Sequence, residues 1–212
     1  MPRMRKALSC VVMLVVAIIA TTAEGSEISL RGGLLGGLEL RTQNSLIDAD
    51  GVAPSATGLW APSGAGRLRP ILVVSTASFK NDFSCSFECE DFEVRSQVHS
   101  LGAGVRWHLG DLERRARSLY VEVSPAIMYA RLNVTGGGFS PGERVDKTDS
   151  HLLLGVVASL VAPVRLSESA TLELGLQYLF SEDLGKSGET GYFSEDLRGF
   201  RQLGFQVGFG LR

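Results

Sequence analysis

The chain is poor in cysteine and histidine, with only three of each among its 212 residues. It also lacks an excess of charge of one sign, because 21 lysines and arginines oppose 23 aspartates and glutamates. This balance argues against a basic surface for nucleic acid and against an acidic disordered tail. None of its apolar runs reaches the roughly 20 residues that a membrane-spanning helix needs. A length of this order fits one large β-domain or one to two ordinary domains.

The first 23 residues have the layout of a secretory signal peptide. The chain begins with a short basic segment. An almost wholly apolar run then covers residues 7–20, and small residues follow it up to Ala23. This order is typical of exported proteins, and the apolar run is short for a membrane anchor. We therefore expect cleavage after Ala23 and one mature domain over residues 24–212, with an uncleaved membrane anchor as the alternative.

Two of the cysteines, Cys85 and Cys89, lie close together in the polar segment SCSFECED. In an oxidising compartment such a pair is typical of a disulfide. Two thiols without a nearby histidine supply only half of a zinc shell, and redox motifs usually separate their cysteines by two residues. The sequence predicts a Cys85–Cys89 disulfide in a loop, and it predicts no metal ion and no cofactor.

Most of the mature chain alternates apolar and polar residues, which is typical of β-strands with one apolar face. In the last segment, apolar residues occupy the odd positions from Leu203 to Leu211, and glycine or glutamine occupies the even ones. The segments 68–79 and 152–164 are apolar on both faces, so the pattern does not separate their inward residues from their outward ones. The pattern predicts seven strands, over residues 28–41, 67–79, 92–109, 119–134, 151–164, 170–181 and 200–212.

Single-chain bacterial barrels close with an even number of strands, so we expect an eighth strand between Thr42 and Gly66. The best candidate is a short strand around Thr57 to Pro62, centred on Trp60. Short polar connectors alternate with longer loops, as periplasmic turns and extracellular loops do in such barrels. The expected fold class is therefore all-β, a closed antiparallel up-and-down transmembrane β-barrel of eight strands. Side chains would fill its interior and exclude a wide pore.

A soluble barrel shows the same alternation, but its polar face points outward to water and its apolar face points inward. Other residues must therefore distinguish a soluble barrel from a membrane barrel. The mature chain has three lysines, all in segments that we assign to long outer loops: Lys80, Lys147 and Lys186. The polar face combines small residues with ions of both signs, which suit a narrow interior: Arg31, Glu39, Arg106, Glu122 and Glu173. Aromatic residues of the apolar face lie near strand ends, as at a bilayer interface: Trp107, Tyr129, Tyr178, Phe180 and Phe209. Together these features favour the membrane.

Three segments, LGAGVRWHL, LYVEVSPAIMYA and the final GFQVGFGLR, resemble the small outer-membrane β-barrel superfamily of Gram-negative bacteria. The resemblance covers most of the mature chain, and it implies an outer-membrane location. One departure is the C-terminus, because the superfamily usually ends on an aromatic residue that the insertion machinery reads. This chain ends with Leu211 and Arg212.

Histidine and serine are neighbours at Ser150 and His151 and at His99 and Ser100, which suggests a catalytic pair at the outer rim. Neighbours along a strand point to opposite faces, so neither pair easily forms a dyad. Some eight-stranded barrels resemble this chain and deacylate lipid A with a His-x-Ser-Asn motif near the C-terminus. The comparable stretch here, Gln177 to Asp183, contains no histidine. We therefore expect a protein that is not an enzyme.

The expected function is a structural, adhesive or surface-recognition role, exerted by the extracellular loops of a monomeric barrel. Its expected partners are the outer-membrane lipid and an extracellular ligand, and nucleic acid is not among them. The alternative is a lipid A-modifying acyl hydrolase of the outer membrane.

Overall fold

The computed structural model describes residues 26–41, 46–49, 52–62, 66–83, 92–109, 119–137, 144–183 and 199–211. These ranges contain nine strands: β1 (Glu27–Arg41), β2 (Leu46–Ala49), β3 (Ala53–Ala61), β4 (Leu68–Phe83), β5 (Phe92–Leu109), β6 (Leu119–Gly137), β7 (Arg144–Arg165), β8 (Ala170–Asp183) and β9 (Gly199–Leu211). No described helix is long and apolar enough to cross a membrane. The expected signal peptide and the pair Cys85 and Cys89 lie outside the described residues.

The strands form a closed antiparallel barrel. Pairing continues in chain order from β3 to β9, and β1 pairs with β3 on one side and with β9 on the other. β2 and β3 share one position in the barrel, since β3 pairs with Glu27–Leu35 of β1 and β2 pairs with Leu38–Arg41. The nine strands therefore occupy eight positions, which confirms the predicted fold class.

The predicted eighth strand exists, and it is longer than expected. It consists of β3, with Trp60 one residue from its end and not at its centre, and of β2, which continues the pairing with β1. The pairing of β1 with β9 shifts register between Gly36 and Glu39. Such an irregularity locally bends and twists the strand that contains it.

We name the two ends of the barrel by their connections. The turn at residues 166–169, where Leu166 and Ser167 donate backbone hydrogen bonds of 3.0 Å to the Ala170 carbonyl, marks the turn end. The opposite end, where β6 and β7 terminate at Gly137 and Arg144, is the loop end. The loop end is therefore the end that the sequence analysis predicted to be extracellular.

Two hairpins extend further toward the loop end than the sequence predicted. β6 and β7 remain paired beyond the predicted strands 119–134 and 151–164, and β4 and β5 remain paired to Phe83 and Phe92. Lys80 and Lys147 therefore lie on strands, which corrects their assignment to loops, and Lys186 lies outside the described residues. The prediction failed because polar residues occupy both faces at the start of β7, which removes the alternation.

The apolar face of the strands points away from the barrel interior. On β9, Phe205 is 73% exposed whereas the adjacent Gln206 is 2% exposed. On β8, Leu174 is 44% exposed whereas Glu173 is completely buried. The predicted orientation, with apolar residues outward and polar residues inward, is confirmed for these strands.

The segment 152–164, which lacks alternation, has apolar side chains on both of its faces. On β7, Leu153 and Val157 are buried inside the barrel, while Leu152 and Leu154 point outward. Buried apolar side chains from several strands form one cluster in the interior, including Leu35, Ile71, Phe79, Val98, Met128, Leu153 and Leu179. A strand between this cluster and an apolar exterior needs apolar residues at every position.

Candidate functional site

A network of charged side chains crosses the interior near the turn end. The Arg31 guanidinium donates to both carboxylate oxygens of Glu122, at 2.5 and 2.7 Å, and its Nε donates to Glu173 Oε2 at 2.6 Å. Arg106 donates from Nε to Glu122 Oε1 at 2.8 Å and from Nη1 to Glu27 Oε1 at 2.5 Å. All five side chains are buried. Paired guanidinium and carboxylate groups of this kind make strong, directional hydrogen bonds.

The network is balanced in charge. Arg69 extends it with a 3.6 Å ion pair to Glu27, and the Ser29 hydroxyl donates to Glu173 Oε1 at 2.9 Å. Three arginines therefore face three glutamates inside the barrel. A buried charge without a partner strongly destabilises a protein. The equal number of positive and negative side chains therefore allows six ions to be buried in a narrow interior.

An uncharged polar layer lies next to the ion network. Gln206 Nε2 donates to Gln177 Oε1 at 2.6 Å and to Thr57 Oγ1 at 2.9 Å, and Gln177 Nε2 reaches the same hydroxyl at 3.1 Å. These three side chains come from three different strands and are buried. They fill the cross-section between the ions and the apolar cluster, as expected for a narrow barrel.

Interior glycines provide the space that the long side chains require. Gly208 pairs with Arg31, and a Cβ atom at Gly208 would lie 2.7 Å from Arg31 Cγ and 2.1 Å from the Leu30 carbonyl oxygen. Gly33 pairs with Gln206 in the same way, with 2.9 Å between its added Cβ and Gln206 Cγ. Glycine in these strands therefore permits a close approach of neighbouring groups.

The sequence identified four members of the network and missed two. Arg31, Arg106, Glu122 and Glu173 are buried and in contact, as the polar face predicted. The side chain of Glu39, the fifth predicted ion, is not among those described. Glu27 could have been found, since it continues the alternation of Ser29 and Arg31 by one step. Arg69 could not, since its segment is apolar on both faces.

The serine and histidine neighbours do not form dyads. Ser150 faces outward and His151 inward, and Ser100 faces inward and His99 outward, as the strand geometry predicted. Tyr129 instead donates a hydrogen bond to Ser150 Oγ at 2.8 Å.

A second polar feature lies on the outside of the barrel. On β4, β5 and β6 the outward face changes from apolar to polar toward the loop end. We call the polar part of this face the polar block, which consists of Thr76, Ser78, Lys80, Arg95, Gln97, His99 and Arg131. Thr76 Oγ1 and His99 Nδ1 are 3.0 Å apart, and Lys80 Nζ lies 3.1 Å from Glu93 Oε2.

Glu93 lies at the loop-end edge of the polar block and is bound by two cations of it. Arg95 donates a hydrogen bond to Glu93 Oε1 from its Nε. This hydrogen bond, and the one from Lys80, lower the pKa of the Glu93 carboxyl below its usual value. The carboxylate is therefore ionised at neutral pH, and it neutralises part of the positive charge.

Aromatic side chains face outward at several levels of the barrel. Trp107, Tyr129, Tyr178 and Phe209 are all exposed on the apolar face, as predicted. Phe180 is half-buried, and the guanidinium carbon of Arg201 lies 5.5 Å from the centre of its ring. Rings of this kind favour the interface between a bilayer and water.

No family model and no curated protein sequence matches the chain. Among solved structures, Neisserial surface protein A (NspA) is similar, with 14% identity and a TM-score of 0.50 over 88% of this chain and 96% of that chain. A major outer membrane protein from Thermus thermophilus has 14% identity and a TM-score of 0.48 over 88% and 99% of the two chains. Ail, the attachment invasion locus protein of Yersinia pestis, has 12% identity and a TM-score of 0.44 over 88% and 99%.

The chain has the fold of the small outer-membrane β-barrels. The likeness to NspA and the closed eight-position barrel carry this conclusion. It confirms, at the level of fold, the resemblance that the sequence segments suggested. The outward apolar face is the surface that an outer-membrane location requires.

Proposed function

We propose that the chain is a non-catalytic outer-membrane barrel with a structural and surface-recognition role, exerted at its loop end. The observation that carries this proposal is the length of the paired strands. β6 has 19 residues and β7 has 22, whereas a tilted strand crosses a bilayer with about 9–11 residues. Because the two strands remain paired to Gly137 and Arg144, they would extend beyond the bilayer as an ordered hairpin.

An ordered hairpin is suited to recognition, because a preorganised surface loses little conformational entropy when it binds. Ions, amides and apolar side chains fill the interior, one layer after another along the barrel axis. A filled interior supports a role at the surface and not in transport. The barrel acts as a monomer in this proposal, and its partners are outer-membrane lipid and an extracellular ligand. It uses no cofactor and binds no nucleic acid.

The role at the surface is tested by two matched insertions of an epitope into the full chain. One insertion follows Phe139, between β6 and β7, and the other follows Glu168, in the turn at the opposite end. Intact cells should bind the antibody only when the epitope follows Phe139, and permeabilised cells should bind it in both cases. Labelling of intact cells at Glu168, or a chain that remains soluble in the periplasm, contradicts the proposal. Retention of a heat-modifiable band on a gel shows that each insertion still folds.

The alternative of a lipid A acyl hydrolase is tested by the mass of lipid A from cells that express the chain. A lipid A mass equal to that of cells with an empty vector supports the non-catalytic role. Loss of an acyl chain, abolished by substitution of a serine such as Ser150→Ala, would establish the hydrolase instead.

A further inference from the structure

The pairing of β4, β5 and β6 arranges the outward residues of these strands in rows. The apolar row contains Val74, Leu101 and Ile127, each paired with the next. Leu101 and Ile127 are 61% and 56% exposed, so this row belongs to the apolar face. Outward residues of neighbouring rows are two positions apart, or about 6–7 Å along a strand.

The next rows toward the loop end become polar and then basic. Thr76 pairs with His99, Ser78 with Gln97, and Lys80 with Arg95. Arg131, on β6, pairs with Gln97 and so continues the middle row. The polar block thus supplies hydroxyl and imidazole groups in the first row, Ser78, Gln97 and the cation Arg131 in the middle row, and the cations Lys80 and Arg95 in the last row. All of them lie on the side of the sheet that carries the apolar row.

We infer that the polar block binds the phosphorylated headgroup of a glycolipid in the outer leaflet of the membrane. This inference rests on the proposed membrane location and names the lipid that the barrel recognises. The acyl chains lie against the apolar row, sugar hydroxyls meet the hydroxyl and amide groups of the block, and phosphate oxygens meet Lys80, Arg95 and Arg131.

Charge complementarity supports a phosphate as the anion. Three cations, Lys80, Arg95 and Arg131, outnumber the carboxylates among the described side chains of these rows. The carboxylates are Glu93 and Asp146 of β7, which are joined in one row through Thr135. Lys80 and Arg95 are 54% and 63% exposed even though both contact Glu93, so both are accessible to a second anion. Arginine and lysine are the usual protein groups for phosphate, and basic surfaces beside membrane segments bind lipid headgroups.

The direction of the block favours a lipid over a soluble anion. Its residues face sideways, on the same surface as Leu101 and Ile127, and not into the space above the barrel. A ligand that contacts both the apolar row and the basic residues must lie along the barrel wall, parallel to the strands. A membrane glycolipid has this shape, with apolar chains at one end and charged sugars at the other.

The inference is tested by titrating the purified full chain, folded in a neutral detergent, with bisphosphorylated lipid A. Native mass spectrometry counts the lipid molecules that each barrel retains. Dephosphorylated lipid A has the same chains and sugars without the phosphates, and inorganic phosphate provides the anion without the lipid. We expect retention of bisphosphorylated lipid A at concentrations where neither comparison ligand is retained. Equal retention of the dephosphorylated lipid, or binding of inorganic phosphate alone, overturns the inference.

Variants of the polar block then assign the binding to these residues. The triple variant K80Q/R95Q/R131Q should weaken binding roughly a hundredfold, since each cation near a membrane surface contributes a several-fold factor. Glu93→Gln removes the carboxylate that contacts Lys80 and Arg95, and it should strengthen binding about fivefold by the same reasoning. Arg165→Gln, at an exposed arginine of the turn end, is the matched control and should leave binding unchanged.

The outcomes separate failure of this inference from failure of the proposed function. The chain could fold into a heat-modifiable barrel, display its hairpin on the cell surface and still show no preference for phosphorylated lipid A. That result would contradict this inference and leave the proposed function intact. The inference is also wrong if Glu93→Gln weakens lipid binding. It is wrong as well if the folded triple variant retains as many molecules of bisphosphorylated lipid A as the unsubstituted chain. The comparison of lipids on the unsubstituted chain remains decisive if the triple variant does not fold.

Discussion

Arg31 of β1 and Glu122 of β6 are joined inside the barrel by two parallel hydrogen bonds of 2.5 and 2.7 Å. The two residues are far apart in the sequence and lie on strands that are not neighbours in the sheet. The ion pair therefore connects opposite parts of the wall across the interior. Both side chains have further charged partners, so the loss of either one affects the whole network.

Removal of the charge of Glu122 should destabilise the barrel strongly. Glu122→Gln keeps the shape of the side chain and leaves Arg31 and Arg106 without their shared counter-charge. Breaking a buried ion pair by removing one partner costs about 3–5 kcal/mol. Unfolding by guanidinium chloride in detergent, followed by tryptophan fluorescence, measures the change. Glu182→Gln, at an exposed position of β8, is the control and should change stability by less than about 0.5 kcal/mol. Equal stabilities of the two variants would contradict the interior network.

The space opposite Arg31 should not accept a methyl group. Gly208→Ala places a Cβ atom 2.6 Å from Arg31 Cα, so the backbone or the arginine must shift. Overpacking of this kind costs about 1–3 kcal/mol. Gly36→Ala is the matched control, because no atom lies within 4 Å of its added Cβ. The same unfolding measurement should separate the two variants, and equal effects would be the contrary result.

A positive charge on the apolar face should be costly in a manner that depends on depth. Phe205 and Phe209 both point outward from β9, at 73% and 56% exposure, and Phe209 is closer to the turn end. Arginine near the bilayer midplane costs about 2–4 kcal/mol, and near the interface about 0–1 kcal/mol. Phe205→Arg should therefore be more destabilising than Phe209→Arg in lipid vesicles. Equal destabilisation by the two variants would argue against an outward face in lipid.

The two tryptophans should report contact with lipid. Trp107 is 51% exposed on the outward face, and Trp60 lies on the outward side of β3. Brominated lipids should therefore quench the fluorescence of the folded chain in vesicles, and iodide in the water phase should quench it weakly. Trp107→Phe and Trp60→Phe, measured separately, assign the signal to each ring. Strong quenching by iodide alone would show that the rings face water.

The sequence predicted the barrel because alternation is a direct consequence of strand geometry. On β9, Phe205 and Gln206 must lie on opposite faces, so composition alone separates the two surfaces. The same rule located Arg31, Arg106, Glu122 and Glu173 in the interior. The rule says nothing about which interior ions meet, since that depends on the register of strands distant in the sequence, as for Arg31 and Glu122.

Other features could not be predicted because the local pattern is absent. Arg69 is followed on β4 by apolar residues on both faces, from Pro70 to Val74, and Lys147 lies in a stretch that is polar on both faces. The polar block is visible only when three strands are placed side by side. Lys80 and Arg95 are fifteen positions apart in the sequence, yet they are direct partners across β4 and β5.

The pairing of Ile28 with Leu211 joins the first described strand of the barrel to the last one. Until β9 is in place, β1 and β8 each have an unpaired edge. Such an edge can pair with another chain and cause aggregation. Closing so long a loop is slow compared with forming the hairpins between successive strands. We therefore expect the barrel to close after its hairpins form. A chain truncated before residue 199 would lack β9 and would leave β1 and β8 with unpaired edges.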